Sequence, residues 1–344
     1  MKQNLSRMLV GTVLKKSLTS IKDCPERGIR NLVDMALQFS DGRFQKHFFT
    51  VTQTMLQNEN SAYYDLVRDT ITHTNIDRLY TFGMNLGYNG CTEGARCIRI
   101  NEKAMNCNIP WNISLQINSQ NFEETITQYN TLIHEGENLG IYTWLVFPMN
   151  QPKRVLSLAE TFSNSVFCIF CEADELSSAF LDEVADLYNV MLVIRYDENA
   201  STICDKLKEM GLLYSVWYQY NQKDIEFILN GDLFYVTQQL SPCFTVLIPE
   251  ADCPDEICHL IHQASVQIRI DQSYRTLVWE LYGDNCLIDA IISGDACSVY
   301  FDSSGDLYNR NKKIGGEHHN MFKSSLSDIL INSYPKEMRS QHEE

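Results

Sequence analysis

With 344 residues, 44% hydrophobic and 21% charged, the chain has the composition of an ordinary globular protein and the length for one large α/β barrel with appendages. A formal charge of -16 argues against a nucleic-acid partner, because phosphate binding draws on clustered Lys and Arg. The longest apolar runs, such as Ile141 to Pro148, fall short of the roughly 20 residues of a membrane-spanning helix, and twelve dispersed cysteines read as reduced core thiols of a cytoplasmic protein.

Taken in chain order, Leu5 to Ile21, Glu26 to Phe39, Arg43 to Leu56 and Ser61 to Thr72 carry apolar residues at three and four spacing, so residues 1–76 predict a helical extension. The amino terminus reads as a helix, not a signal peptide. From Asp77 short β-branched and aromatic runs alternate with amphipathic stretches. Strands are expected at Arg78 to Met84, Trp111 to Ile117, Ile141 to Phe147, Ser165 to Cys171, Val190 to Tyr196, Tyr214 to Tyr218 and Phe244 to Ile248. Helices lie between them, among them Glu123 to Leu139, ended by Gly140, and Glu175 to Tyr188. This is the pattern of parallel strands joined by crossover helices. The fold class predicted is α/β, a partial or complete (β/α) TIM-like barrel over 77–265, in preference to an open doubly wound sheet. Residues 266–333 predict a small hairpin subdomain, with a helix over Ser273 to Tyr282 and a hairpin from Ser298 to Tyr308 turning at Gly305, and residues 334–344 a frayed tail.

Active sites of such barrels sit on the carboxy-terminal ends of the strands. The glycine-rich stretch Phe82 to Ala95, at the end of the first strand, offers Asn85, Tyr88, Asn89 and Glu93 as ligand contacts; the alternative is a tight turn that needs Gly and Asn for its backbone. Asn118, Glu172, Arg195 and Asp197 stand at other strand ends, beside Asn150, Asp174, Tyr218, Tyr220 and Glu250. Arg195 is the strongest candidate, able to hold a carboxylate or phosphate through its planar fork or to pair with Asp197 or Glu172. Cys91, Cys97 and Cys107 are the candidate thiol ligands, but six residues of helix turn Cys91 and Cys97 to different faces. Cys168 and Cys171 point to opposite faces of a strand. Cys258 and His262, beside His259 and Cys253, make at most half of a metal site.

The order of helices, βα units and hairpin, with the loop at Leu79 to Ala95 and the segment Asp295 to Tyr308 followed by Lys313-Ile314-Gly315 and Ser324 to Leu330, resembles the radical S-adenosylmethionine (SAM) superfamily with a SPASM-like carboxy-terminal remnant. The resemblance implies a [4Fe–4S] cluster held by C-x-x-x-C-x-x-C after the first strand, with S-adenosylmethionine on its open iron. That spacing occurs nowhere in the chain, Leu115 to Ser119 replaces the family's Gly-Gly-Glu-type segment, and Asn309 stands where a cysteine is expected. The expectation is therefore a pseudoenzyme that has lost the cluster and serves as a binding or partner subunit for a peptide or an active paralogue. The alternatives are an iron–sulfur enzyme that draws atypical ligands from Cys91, Cys97 and Cys107, or an unrelated metal-free barrel enzyme with its site around Arg195 and Asn85.

Overall fold

The computed structural model describes residues 2–38 and 50–336. It opens with helices α1 (Lys2–Asp23), α2 (Pro25–Gln38), α3 (helical over 50–55), α4 (Ala62–His73) and α5 (Ile76–Gly83), a π-helix (Met84–Gly94) and α6 (Ala95–Met105). The predicted helix Arg43 to Leu56 lies partly outside the described residues.

The βα series follows: β1 (Asn112–Asn118), α7 (Phe122–Leu139), β2 (Thr143–Met149), α8 (Leu156–Thr161), β3 (Val166–Cys171), α9 (Ser178–Ala185), β4 (Val190–Arg195), α10 (Ala200–Glu209) and β5 (Tyr214–Tyr220). Next come α11 (Ile225–Leu229), α12 (Asp232–Thr237), β6 (Phe244–Pro249), α13 (Asp255–Asp271), β7 (Leu277–Glu280) and α14 (Leu281–Ser293). The chain then forms β8 (Tyr300–Phe301), β9 (Leu307–Asn309), β10 (Lys312–Lys313) and α15 (Leu326–Ser333).

All ten strands share one sheet in the order β10-β9-β8-β1-β2-β3-β4-β5-β6-β7. Neighbours from β8 through β7 pair in parallel, and β9 and β10 are antiparallel. The sheet curls into a half-barrel whose two edges do not meet, a partial rather than complete (β/α) barrel. Its faces follow strand alternation. Ile113, Leu115, Trp144, Val146, Ile169 and Leu192 point outward and are buried under the helices. Leu145, Cys168, Phe170, Met191 and Val193 point inward. Phe147 stacks on Phe170 at 4.3 Å, and Phe170 meets Trp217 edge-on at 6.4 Å.

The segment Arg78 to Met84, expected as a strand, is helical. Asn75 caps α5 by accepting from the N–H groups of Asp77 and Arg78, and Leu79, Phe82 and Leu86 recur at helical spacing against the inner core. Arg78, 2% exposed, donates to the carbonyls of Val184, Ala185 and Leu187, closing the carboxy-terminal end of α9. The glycine-rich stretch after it continues as a π-helix. Gly140, at φ 108°, approaches so closely that a Cβ there would lie 2.4 Å from the Gly94 carbonyl. Gly136 likewise makes room for the buried Trp144 ring, 2.6 Å from where its Cβ would stand. Together α5, the π-helix and α6 form a floor under the amino-terminal ends of the strands.

Two further expectations are corrected. The predicted helix Ser273 to Tyr282 is β7 followed by α14, whose first turn is capped by the Glu280 carboxylate accepting from the Gly283 N–H at 2.6 Å. The tail does not fray at Tyr334. Tyr334 is buried and donates to the Ser298 carbonyl at 2.6 Å, Pro335 bridges to Cys107, and Lys336 pairs with Glu102 at 2.9 Å; residues 337–344 lie outside the described residues. The hairpin forms as predicted, with Gly305 at φ 79° and the Asp302 carboxylate accepting from the N–H groups of Ser304 and Asp306.

Candidate functional site

At the carboxy-terminal mouth of the half-barrel, alternation brings Glu172, Arg195 and Trp217 from three adjacent strands to the inner face. Arg195 Nη1 donates to Glu172 Oε1 at 3.2 Å, and the guanidinium lies over the Trp217 ring at 5.4 Å. The Glu172 side chain is 36% exposed and that of Arg195 43%, so the pair meets solvent and a ligand on level terms. Asp197 is not Arg195's partner; it accepts from the Asn199 N–H at 2.8 Å and turns the β4–α10 loop. Asn118 makes the equivalent turn after β1, accepting from the Gln120 N–H at 3.0 Å. Beside it an open groove of about 600 Å³ runs between the loops after β1, β2 and β3, lined by Ser119, Asn150, Gln151 and Arg154. Glu175 closes that groove, its carboxyl raised above the usual range by burial.

Of the remaining strand-end candidates, Asp174 is exposed, whereas Tyr218, Tyr220 and Glu250 are committed to the protein. Tyr218 donates to Asp224 at 2.9 Å and is pushed up to about 12, chiefly by burial. Tyr220 donates to the buried Glu280 carboxylate at 3.1 Å, and Asn221 ties Glu250 at 2.7 Å. A second cavity, of about 510 Å³, lies on the open side of the half-barrel between β1, β6, β8 and α14. Asp289 stands in its wall; burial raises its carboxyl well above the usual range although the Trp111 N–H donates to it at 2.8 Å.

Asn85, Tyr88, Asn89 and Glu93 lie on the π-helix, at the opposite end of the barrel from the mouth. Asn85 donates to the carbonyls of Ser163 at 2.8 Å and Ser165 at 3.2 Å, and Asn89 donates to Asn85 and to the Asn164 carbonyl. Glu93 pairs with Arg96 at 3.0 Å. Placement on the carboxy-terminal face was an inference from the misread strand and falls with it.

Cys91 is pushed up to about 12 by burial, and Cys107 to about 11. Neither of them, nor Cys97, belongs to a group of three His, Cys, Asp or Glu able to share a metal ion among the described residues. Cys168 and Cys171 face opposite sides of β3, and His262 is engaged by Asp284 at 3.2 Å. The connection after β1, the first strand of the sheet, is Ser119-Gln120-Asn121 and carries no thiol. The residues at this position therefore do not fit a thiolate-held cluster.

Sequence reasoning missed Trp217 and the inner face of β1. The signal was present: Asn112-Ile113-Ser114-Leu115-Gln116-Ile117-Asn118 is polar at every second position, in a strand type normally apolar on both faces.

No family model matches the sequence, and no curated protein matches it. Among solved structures, the fold is similar to SuiB of Streptococcus suis bound to S-adenosylmethionine, with a TM-score of 0.50 and 9% identity over 71% of this chain and 69% of that one. SuiB alone gives 0.50 and 9% over 71% of each chain. SuiB bound to the precursor peptide SuiA gives 0.50 and 10% over 71% and 70%. At such identity the likeness is one of fold alone, and it agrees with the partial (β/α) barrel described above.

Proposed function

We propose that the chain is a cluster-free, radical SAM-like barrel that binds a peptide at the mouth of its half-barrel, as a binding or partner subunit. The observation that carries this reading is a half-exposed Glu172–Arg195 pair over Trp217, in a barrel whose β1–α7 connection offers no thiolate. A peptide carboxylate can displace Glu172 from the Arg195 fork, because a solvent-facing ion pair is held by only about 1 kcal/mol or less. Trp217, Phe170 and Phe147 then form an apolar row leading inward from that anchor. The capture of a precursor peptide by SuiB on a similar fold supports a peptide as the ligand.

The test is iron and sulfide analysis with a visible spectrum after anaerobic purification and cluster reconstitution, with and without S-adenosylmethionine. A colourless, iron-free protein that still binds a peptide with a free carboxylate is expected. About four irons per chain with charge-transfer absorption would overturn the cluster-free reading, and turnover by the isolated protein would overturn the binding role.

A further inference from the structure

On the open side of the half-barrel, Asn112, Ser114 and Gln116 of β1 face the 510 Å³ cavity, with Gln219 of β5 and Asn285 of α14 across from them. Asn112 is 6% exposed, and none of these five side chains makes a hydrogen bond to another described residue. The polar atoms of these carboxamides open onto the cavity, so a ligand has only water to replace on them. Each offers one acceptor and a two-proton donor, which complements the C=O and N–H of a peptide unit. Tyr282, Tyr300 and Tyr308 add aromatic walls, and the volume lies within the range of ligand sites.

The turn between β9 and β10 reaches over this opening. Arg310, at φ 53°, pairs with Asp255 at 3.1 Å and sits 6.0 Å from the Tyr282 ring, and Asn311 donates to the Ala251 carbonyl at 2.8 Å. These ties cross from one edge of the sheet to the loop after β6. The Asp255 side chain is 82% exposed, so the strap is weakly held.

We propose that the cavity binds the main chain of an uncharged peptide segment, pairing its N–H and C=O groups with Asn112, Gln116, Gln219 and Asn285 beneath the Arg310–Asn311 strap. The proposal rests on the reading of the mouth as a peptide site and names the chemistry recognised deeper in it. Cys286 lines the same cavity and is half-buried, whereas Cys24 is exposed, so thiol alkylation followed by peptide mapping reports access. The probe is acetyl-Ala-Ala-Tyr-Ala-amide, capped so that binding does not depend on Arg195.

Saturable slowing of Cys286 alkylation with Cys24 unchanged is the expected result, together with no protection from the fully N-methylated analogue. Gln116→Leu should weaken protection about tenfold, the effect of a lost hydrogen-bonded pair. Asn285→Leu, on a separate element, repeats that test should Gln116→Leu not fold, and Arg310→Ala should speed alkylation of the free protein. No protection, or equal protection by the N-methylated analogue, overturns the proposal. Iron analysis of the same sample addresses the cluster-free reading separately.

Discussion

At the floor of the half-barrel, the carboxamide NH2 groups of Asn85, Asn89 and Asn189 all donate to protein oxygens. Asn189 alone donates to the carbonyls of Ala159, Phe162 and Ser165. Along the open side, the side chains of Asn112, Gln116, Gln219 and Asn285 make no hydrogen bond to another described residue. The same functional group thus does two jobs. Where its hydrogen bonds end on loop carbonyls it locks helices to strand ends, and where they end in a cavity it is left for something else to satisfy.

The sharpest way to break this contrast is at the floor. Asn85→Ala should lower the unfolding free energy by about 2–3 kcal/mol in urea titrations, because two carbonyls and Asn89 lose their partner together. A stable variant with impaired peptide binding would move Asn85 to the ligand side of the comparison.

Asp289 comes next. Its folded-state value is raised above the unfolded one, so the native state binds the proton more tightly, and the stability this gives at low pH is lost as pH climbs through the folded-state value. Above the ordinary carboxylate range the wild type should lose stability with rising pH until Asp289 ionises in the folded state. Asp289→Asn, which keeps an acceptor for the Trp111 N–H, should flatten that slope; an unchanged slope would show that the carboxyl does not carry it.

On the open side, Gln116→Leu should shift stability by no more than about 1 kcal/mol, because it removes a polar group that no other described residue satisfies. A loss as large as that at Asn85 would reveal a structural role. Smallest in stability is Arg195→Ala, below about 1 kcal/mol. Its affinity for acetyl-Gly-Ala-Ala, which has a free carboxylate, should nonetheless fall about tenfold by calorimetry.

The strands β1 to β6 were legible because each carries a run of β-branched and aromatic residues, and their outer faces need those side chains under the helices. Arg78 to Met84 misled because a short apolar run of that length suits a strand or a helix equally, and what decides it, the Asn75 cap and the carbonyls around Arg78, is tertiary. The glycines at 83, 87, 90 and 94 suggested a loop, since glycine weakens helices; at Gly94 the lack of a side chain permits the close approach to Gly140. β7, only Leu277–Glu280, disappears into the apolar start of α14. At the mouth, Glu172 and Arg195 were found by their place after apolar runs, and their ion pair was foreseen as one alternative. Trp217 was not, because its partnership depends on which face of β5 turns inward, and that register is set by β4 and β6.

Pairing of β8 with β1 joins two segments separated by most of the sheet's sequence. During synthesis at roughly 5–20 residues per second, the leading edge of β1 is made long before the strand that covers it, an interval of about 10–40 s. A nascent chain therefore carries an open parallel edge, with its backbone N–H and C=O groups unpaired, through about half of its production. Truncations that remove β8 should expose that edge permanently, and a ribosome-bound chaperone would meet it first.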